Sequence, residues 1–235
     1  MLLSMSSHAF SEPLTIVTEQ YPPYNYEENG VVKGMSTEVV KAVLAELAID
    51  AKIRVYPWAR AYEMASSQKN VLIYSISRIP EREPLFQWVG VIAPIRFTVF
   101  ALKSRQDITI NVLDDLRPYT MSLVLDDALE QYFSARGFNK IQKVRSNELA
   151  MKMFLAGRSD VWPISHQAGI YLLKKNNWVP NETVKPVFKL EGFSSGDQYM
   201  AFSPQTSKKL VGDFKQALKA VKQKGIYKKI ISAYE

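Results

Sequence analysis

The 235-residue sequence contains no cysteine, which excludes disulfides, thiolate metal sites and cysteine nucleophiles together. It has only two histidines, His8 and His166, and no HExxH, paired-cysteine or DxD spacing that would indicate a metal site. Ser165 directly precedes His166, but adjacent residues do not have the geometry of a catalytic Ser–His pair. Neither a GxGxxG motif nor a P-loop is present. We therefore expect no metal ion and no cofactor.

Long hydrophobic runs are also missing, since no apolar run approaches the ~18–20 residues of a membrane span. The first eleven residues, MLLSMSSHAFS, are apolar and small, and residues 9–11 resemble a small-x-small cleavage site. This segment fits either the remnant of a secretory signal or a disordered N-terminus. In both cases it lies outside the predicted fold.

Acidic residues are scarce near the C-terminus, where eight lysines lie between Lys208 and Lys229 against only Asp213. With a net charge of +7, such a balance can indicate nucleic-acid binding. These lysines, however, interleave with apolar residues at helical spacing, which favours the solvated face of an amphipathic helix. The chain has no arginine-rich run and no zinc-finger or RNA-binding signature, so we expect no nucleic-acid partner.

Strand and helix patterns alternate twice along the chain, which is typical of an α/β fold with mainly parallel sheets. In the first series, strands are predicted at 14–18, 51–55 and from 71, with helices capped by Ser36 and opened by Pro57. In the second series, strands are predicted at 119–125, 141–144, 160–164 and 184–190, with Pro163 breaking the third of them. Between the two series lies a further predicted strand at 97–103.

The length of the chain allows two domains, and the last strand and two helices are too few for a third. We predict that they return to the first half. This gives a discontinuous first lobe (residues 12–102 and 196–235), a second lobe (103–195) and two crossing segments with a cleft between the lobes. We expect a monomer.

The stretch from Val71 to Val89 is the predicted centre of the binding site. A buried apolar strand ends there in Ser75 and Ser77 and is followed by a loop with Arg78 and Arg82. Ligands of open α/β sheets bind at the carboxyl ends of strands, and arginine suits a carboxylate with two parallel hydrogen bonds. The alternative is a surface loop with solvated arginines.

Several segments, in this order and spacing, resemble the family 3 solute-binding proteins of ABC importers, the periplasmic proteins typified by polar amino-acid binders. The segments are LTIVTEQYPPYNY, ENGVVKGMSTEVVKAVLAEL, ISRIPEREPLFQWV, LAGRSDVW and GIYKKIISAYE. The resemblance spans about residues 12–235. It implies the type II periplasmic-binding-protein fold, in which two α/β lobes close on a ligand.

The resemblance also implies site residues. Arg82 matches the arginine that pairs with the ligand carboxylate, Ser77 matches an assisting hydroxyl, and the carbonyl of Ser75 lies where the amino group is often held. Tyr21, Tyr24 and Glu19 fall in the loop that lines the pocket. Arg78 and Arg60 are candidates for a second anionic group.

The second lobe departs from the family pattern at two places. Amino-acid binders have a small Gly-Ser or Gly-Thr turn where this chain has Leu125-Asp126-Asp127, and an aspartate near the position of Ser165. Asp126 and Asp127 are therefore candidates either for contact with a ligand amine or for plain helix capping.

Four aromatic residues are candidates for flat walls of the site, with ordinary lobe packing as the alternative. They are Tyr21, Tyr24, Trp58 and Trp162.

The resemblance implies a periplasmic, non-enzymatic protein that captures a small, carboxylate-bearing solute and delivers it to an ABC permease. A sensor that presents its closed form to a receptor is an alternative. An enzyme of the dehydratase or murein-cleaving type is another, and it would require a cleft acid or base with a perturbed pKa.

Overall fold

The computed structural model describes residues 14–191 and 196–234, so the predicted signal remnant at residues 1–11 lies outside it. In chain order the strands are β1 Thr15–Thr18, β2 Tyr26–Glu28, β3 Val31–Lys33, β4 Ile53–Val55, β5 Val71–Ser77, β6 Gln87–Pro94, β7 Phe97–Leu102, β8 Met121–Val124, β9 Ile141–Val144, β10 Val161–Ser165, β11 Val184–Lys189 and β12 Asp197–Phe202. The helices are α1 Met35–Glu46, α2 Trp58–Ser67, α3 Ala128–Ala135, α4 Asn147–Leu155, α5 His166–Lys175, α6 Pro180–Thr183, α7 Lys208–Gln223 and α8 Ile226–Ser232.

Two five-stranded sheets form the two lobes, and a two-stranded hairpin (β2–β3) accompanies the first. The first sheet has the order β4-β1-β5-β12-β6 and the second the order β11-β7-β10-β8-β9. In each sheet three neighbouring strands are parallel, and the fourth in line, β12 or β7, is antiparallel to both of its neighbours. This confirms the predicted two-lobed, mainly parallel α/β architecture.

The predicted boundary of the first lobe at residue 102 is wrong for one strand. β7 pairs with β10 and β11 along its whole length, so the segment 97–102 belongs to the second sheet. The first crossing between the lobes therefore runs through residues 95–96, and the second lies between β11 and β12. The two crossings are adjacent, because the Ile95 amide donates to the Gly196 carbonyl at 2.9 Å.

Three local predictions also need correction. Ser36 is not the cap of α1, because the helix begins at Met35 after Gly34 and the Ser36 side chain is buried inside its first turn. Pro163 does not break its strand, since β10 stays paired with β7 from Val161 to Ser165 while its pairing with β8 is limited to Val161. Strand β6 was not predicted, because its pattern lacks clear alternation.

Buried apolar residues form two clusters. One lies between the first sheet and the helices α1 and α7, and includes Ile16, Val40, Leu72 and Phe214. The other covers the opposite face of the first sheet and continues into the second lobe. The lobes are therefore in contact through apolar packing as well as through the polar groups of the site. Within the described residues, none of the helices combines the length and apolar character that a membrane crossing needs.

Candidate functional site

The loop between β1 and β2 carries the first group of predicted site residues, and α1 fixes its shape. The backbone amides of Met35 and Ser36, which open the helix, donate to the carbonyls of Pro23 and Tyr24 at 3.0 and 2.8 Å. Gly34 makes this approach possible: it has φ +117°, and a Cβ there would lie 2.5 Å from the Tyr24 carbonyl oxygen. The tyrosines of this loop are therefore held rigidly at the interlobe face.

Arg82 lies between the lobes, as its predicted role requires, and its side chain is 1% exposed. It sits in a 3₁₀ segment, Pro80–Leu85, directly after β5. Nε donates to Oε1 of Gln131 at 3.0 Å and Nη2 donates to the Asp126 carbonyl at 2.9 Å, both in the second lobe. Nη1 contacts the Ser77 carbonyl at 3.4 Å. The guanidinium thus joins the two lobes.

The aromatic side chains of α2 enclose this guanidinium. Its carbon lies 5.1 Å from the ring centre of Trp58 and 5.0 Å from that of Tyr62, distances typical of cation–π contacts. Trp58 also bridges the lobes, because its Nε1 donates to the Asp126 carbonyl at 2.7 Å. Asp126 has φ +59°, and its carbonyl accepts both of these hydrogen bonds, from Trp58 and from Arg82.

Asp127, the next residue, caps α3 by accepting a hydrogen bond from the Leu129 amide at 2.9 Å, as one of the two predicted alternatives required. Its carboxyl also interacts with the charges of Arg82 and Glu19 across the interlobe contact. At this turn the backbone carbonyl of Asp126 binds the first lobe, and the side chain of Asp127 caps α3.

Two carboxyl groups therefore face one guanidinium in a buried setting. Burial raises the pKa of Glu19 well above its usual value; Asp127 raises it further and Arg82 opposes the shift. Burial also raises the pKa of Asp127, again against the attraction of Arg82. Burial lowers the pKa of Arg82, which still holds its proton because arginine titrates far above neutral pH. Because burial disfavours the ionised form of both carboxyls, a cationic group beside them would stabilise that form.

A second polar link between the lobes involves Tyr24. Its hydroxyl lies 3.0 Å from Oγ of Ser165 and donates to Oε1 of Gln167 at 3.2 Å. Its ring stacks on Tyr21, with ring centres 5.4 Å apart. Burial raises the pKa of Tyr24 to about 12, so the hydroxyl stays protonated. Ser165 also caps α5 by accepting a hydrogen bond from the Ala168 amide.

The two predicted serines of β5 are both buried, and the carbonyl of Ser77 contacts Arg82. Ser75 has φ +60°, opposite a register shift between Tyr199 and Met200 in β12, and its buried Oγ lacks a hydrogen-bond partner in the described structure. Oγ of Ser77 accepts a long contact of 3.4 Å from Gln198. Their predicted contacts with a ligand stay predictions.

Three other predicted or considered residues lie elsewhere. Arg78 pairs with Glu83 near the surface and faces the rings of Trp88 and Tyr199, apart from Arg82. Trp162 is fully buried and packs on Phe100 and Phe154 within the second lobe. The ring of His166 also lies against Phe100. Among the described residues no group of His, Asp and Glu side chains is arranged to hold a metal ion.

An interlobe cavity of about 670 Å³ adjoins this cluster. Glu19 and Trp58 line it from the first lobe, together with Tyr56 and the predicted Arg60. The second lobe contributes residues 124–125 and 144–146. Sequence reasoning missed Tyr62, Gln131 and Arg145; the first two lie four residues after Trp58 and Asp127 on their helices, a spacing that puts them on the same face.

Comparison with known proteins identifies the family. A model described as "Bacterial extracellular solute-binding proteins, family 3" matches residues 14–234. The chain belongs to this family. The predicted family resemblance is thus confirmed. No sequence among the curated proteins matches the chain.

Solved structures of this fold include proteins with different roles. A histidine kinase sensor domain with similarity to periplasmic binding proteins has a TM-score of 0.81 and 20% identity, covering 94% of this chain and 95% of its own. An ancestral arginine-binding protein bound to arginine has a TM-score of 0.80 and 21% identity, covering 94% and 97%. An ancestral amino-acid-binding protein described as a precursor of cyclohexadienyl dehydratase has a TM-score of 0.76 and 19% identity, covering 94% of each chain. At these identities the likeness shows a shared fold, which is the fold of amino-acid-binding proteins.

Proposed function

We propose that this family 3 protein captures a small amino-acid-like solute between its lobes and delivers it to an ABC permease in the periplasm. The observation that carries the proposal is the buried guanidinium of Arg82, which lies between the lobes beside Glu19 and Asp127. A zwitterionic solute complements this trio, with its carboxylate on the arginine and its ammonium near the carboxyls.

The hydrogen-bond inventory of Arg82 supports the carboxylate contact. A guanidinium has five N–H groups, and the contacts with Gln131, Asp126 and Ser77 use three of them. The Tyr62 side chain also interacts with the guanidinium, so a solute carboxylate that accepts two parallel hydrogen bonds would share or displace that contact. A charged hydrogen bond of this kind contributes roughly 1.5–3 kcal/mol when water is excluded.

Closure of the lobes would couple binding to recognition by a partner. Residues 95–96 and the segment between β11 and β12 are the two covalent connections, so rotation about them opens the interlobe surface. A solute that contacts both lobes shifts the equilibrium toward the closed form. The permease would then recognise the closed arrangement of the two lobes.

A screen for solutes tests this proposal. Thermal unfolding is measured with acidic, neutral and basic α-amino acids, each at a concentration near 100 times a micromolar dissociation constant. A true ligand stabilises the folded protein by about 2.7 kcal/mol at that ratio, which for a chain of this length raises the melting temperature by roughly 5–10 °C. If no amino acid raises it, the proposed solute class is wrong.

A sensor role is the second candidate, favoured by the similarity to the histidine kinase sensor domain. A sensor also closes on a solute, so the binding screen does not separate the two roles. Reconstitution with a candidate permease does: solute-stimulated ATP hydrolysis supports transport, and its absence beside a ligand-dependent kinase response supports sensing.

An enzymatic role is supported by the buried carboxyl of Glu19 with its raised pKa and by the fold shared with the dehydratase precursor. We propose that this group binds the solute and does not transform it. Incubation of the protein with each solute found in the screen, followed by mass spectrometry, checks this directly. Conversion that is lost in Glu19→Gln would show an enzyme.

A further inference from the structure

The interlobe cavity of about 670 Å³ is lined by Glu19 and by two arginines, one on each lobe. Arg60 comes from the first turn of α2, and Arg145 follows β9 in the second lobe. Pockets for small organic ligands typically measure 300–1,000 Å³, so this cavity has room for a solute longer than a common amino acid.

Most of the cavity wall is apolar. The apolar lining residues are Val55, Pro57, Trp58, Val124, Leu125 and Val144. Leu125, which lines the cavity, is 39% exposed. An apolar surface that is concave and partly exposed is best accounted for by an apolar ligand group that covers it.

The two arginines that line the cavity, Arg60 and Arg145, have no acidic partner among the described residues. Arg145 is exposed, and Arg60 is exposed with its guanidinium 4.4 Å from the ring centre of Tyr56. By contrast, Arg105 and Arg117 on the second lobe are each bound by an aspartate. Two cations that line the same cavity repel each other, and an anion bound in the cavity offsets that repulsion.

The N-terminus of α4 brings further positive charge to the cavity. Ser146, which caps the nine-residue helix, lines the cavity next to Arg145. The amides at a helix N-terminus carry partial positive charge, which favours an anion there. The one acidic side chain in that first turn, Glu148, is paired with Lys152.

We propose that this cavity accepts the far end of an elongated amino-acid-like solute, with an apolar body along Trp58 and Leu125 and an anionic terminus between Arg60 and Arg145. The proposal rests on the proposed function, in which Arg82 anchors the near end of the solute. It narrows the ligand class to α-amino acids or close analogues with a long side chain that ends in a carboxylate or a similar anion.

A matched series of compounds tests the proposal by isothermal titration calorimetry. The series is glutamate, 2-aminosuberate, which has eight carbons and a terminal carboxylate, 2-aminooctanoate, which has the same length without that carboxylate, and lysine. We expect 2-aminosuberate to bind most tightly, and its advantage over 2-aminooctanoate to shrink as salt is raised, because exposed charges are screened.

Single substitutions assign the effect to the two arginines. Arg60→Gln and Arg145→Gln should each weaken 2-aminosuberate by about threefold to fivefold, the range expected for partly exposed ion pairs. The same variants should leave 2-aminooctanoate within about twofold. Arg54→Gln and Arg158→Gln, one exposed arginine from each lobe that does not line the cavity, are the controls and should change neither affinity.

The outcomes separate this inference from the proposed function. If the compounds bind through Arg82 but the terminal carboxylate gives no advantage, or lysine binds more tightly than 2-aminosuberate, the cavity inference is overturned and the proposed function stands. The inference is also overturned if the two arginine variants lose no more affinity for 2-aminosuberate than the controls do. If none of the four compounds binds, the cavity inference is overturned, while the proposed function is decided by the wider amino-acid screen.

Discussion

Removing the hydroxyl of Tyr24 should open the two lobes without harming either of them. In the Tyr24→Phe variant the ring that stacks on Tyr21 is kept. The hydrogen bonds to Ser165 at 3.0 Å and Gln167 at 3.2 Å are lost. Both partners belong to the second lobe, so the change acts on the interlobe contact.

The size of the effect follows from the groups left behind. Each hydrogen bond contributes about 0.5–1.5 kcal/mol net. Oγ of Ser165 still accepts from the Ala168 amide, and Gln167 is only partly buried, so neither group is stranded without a partner. We therefore expect a loss of about 1–2 kcal/mol from the closed state, which lowers the ratio of closed to open molecules by roughly 5- to 30-fold.

Spin-label distance measurements provide the assay, and the absence of native cysteine makes them straightforward. Labels are attached to single cysteines introduced at two exposed lysines, Lys215 on the first lobe and Lys174 on the second. Tyr24→Phe should add a population with a longer interlobe distance.

Tyr74→Phe is the matched control, because it removes an equally buried hydroxyl that bonds to Thr37 within the first lobe at 2.9 Å. It should lower the free energy of unfolding and leave the distance unchanged. If the distance in Tyr24→Phe is unchanged, or if both variants shift it equally, the interlobe role of Tyr24 is refuted.

Three further predictions concern the charges and the loop of the site. Because burial raises the pKa of Glu19, its charged form opposes folding: stability is fullest below pH ~4.5, its ordinary pKa, and falls as pH rises through the raised value. Glu19→Gln should therefore raise the melting temperature at pH 7 and not at pH 4, and an equal effect at both would contradict the assignment. Asp127→Asn keeps a good helix cap and removes a buried charge, so urea unfolding at pH 7 should show no loss of stability, whereas Asp127→Ala should lose about 1 kcal/mol; similar losses in both would be contrary evidence. Gly34→Ala forces a positive φ and a clash with the Tyr24 carbonyl, so it should cost about 1–3 kcal/mol by urea unfolding and weaken solute binding; Gly137→Ala, where a Cβ meets no atom, is its control and should cost less.

The family fold was predictable because its determinants are local. Strands such as β5 are continuous apolar runs, and α7 has a clear apolar stripe between its lysines. The assignment of β7 to the first lobe was wrong because the sequence of residues 97–102 does not indicate which sheet the strand joins. That choice depends on pairing with β10 and β11, which lie some 60 to 90 residues further along the chain. Contacts of that range are invisible to local pattern.

The site was only partly predictable for a related reason. Arg82 could be recognised by its motif and by its position after a buried strand. The partners of its guanidinium could not, because the Asp126 carbonyl is a backbone group whose direction depends on a positive φ, and sequence carries no signal for that at an aspartate. Arg145 was missed because it lines the same cavity as Arg60 only when the two lobes are in contact.

The comparison of the tightest amino-acid ligand of the screen with its decarboxylated amine tests the central claim most directly in the wild-type protein and in Arg82→Lys. Lysine keeps the positive charge that compensates Glu19 and Asp127 but presents no planar pair of donors to a carboxylate. The account predicts that the amino acid raises the melting temperature of the wild-type protein, that the amine does not, and that Arg82→Lys loses most of the shift. An equal shift from the amine, or an unchanged shift in Arg82→Lys, would contradict it.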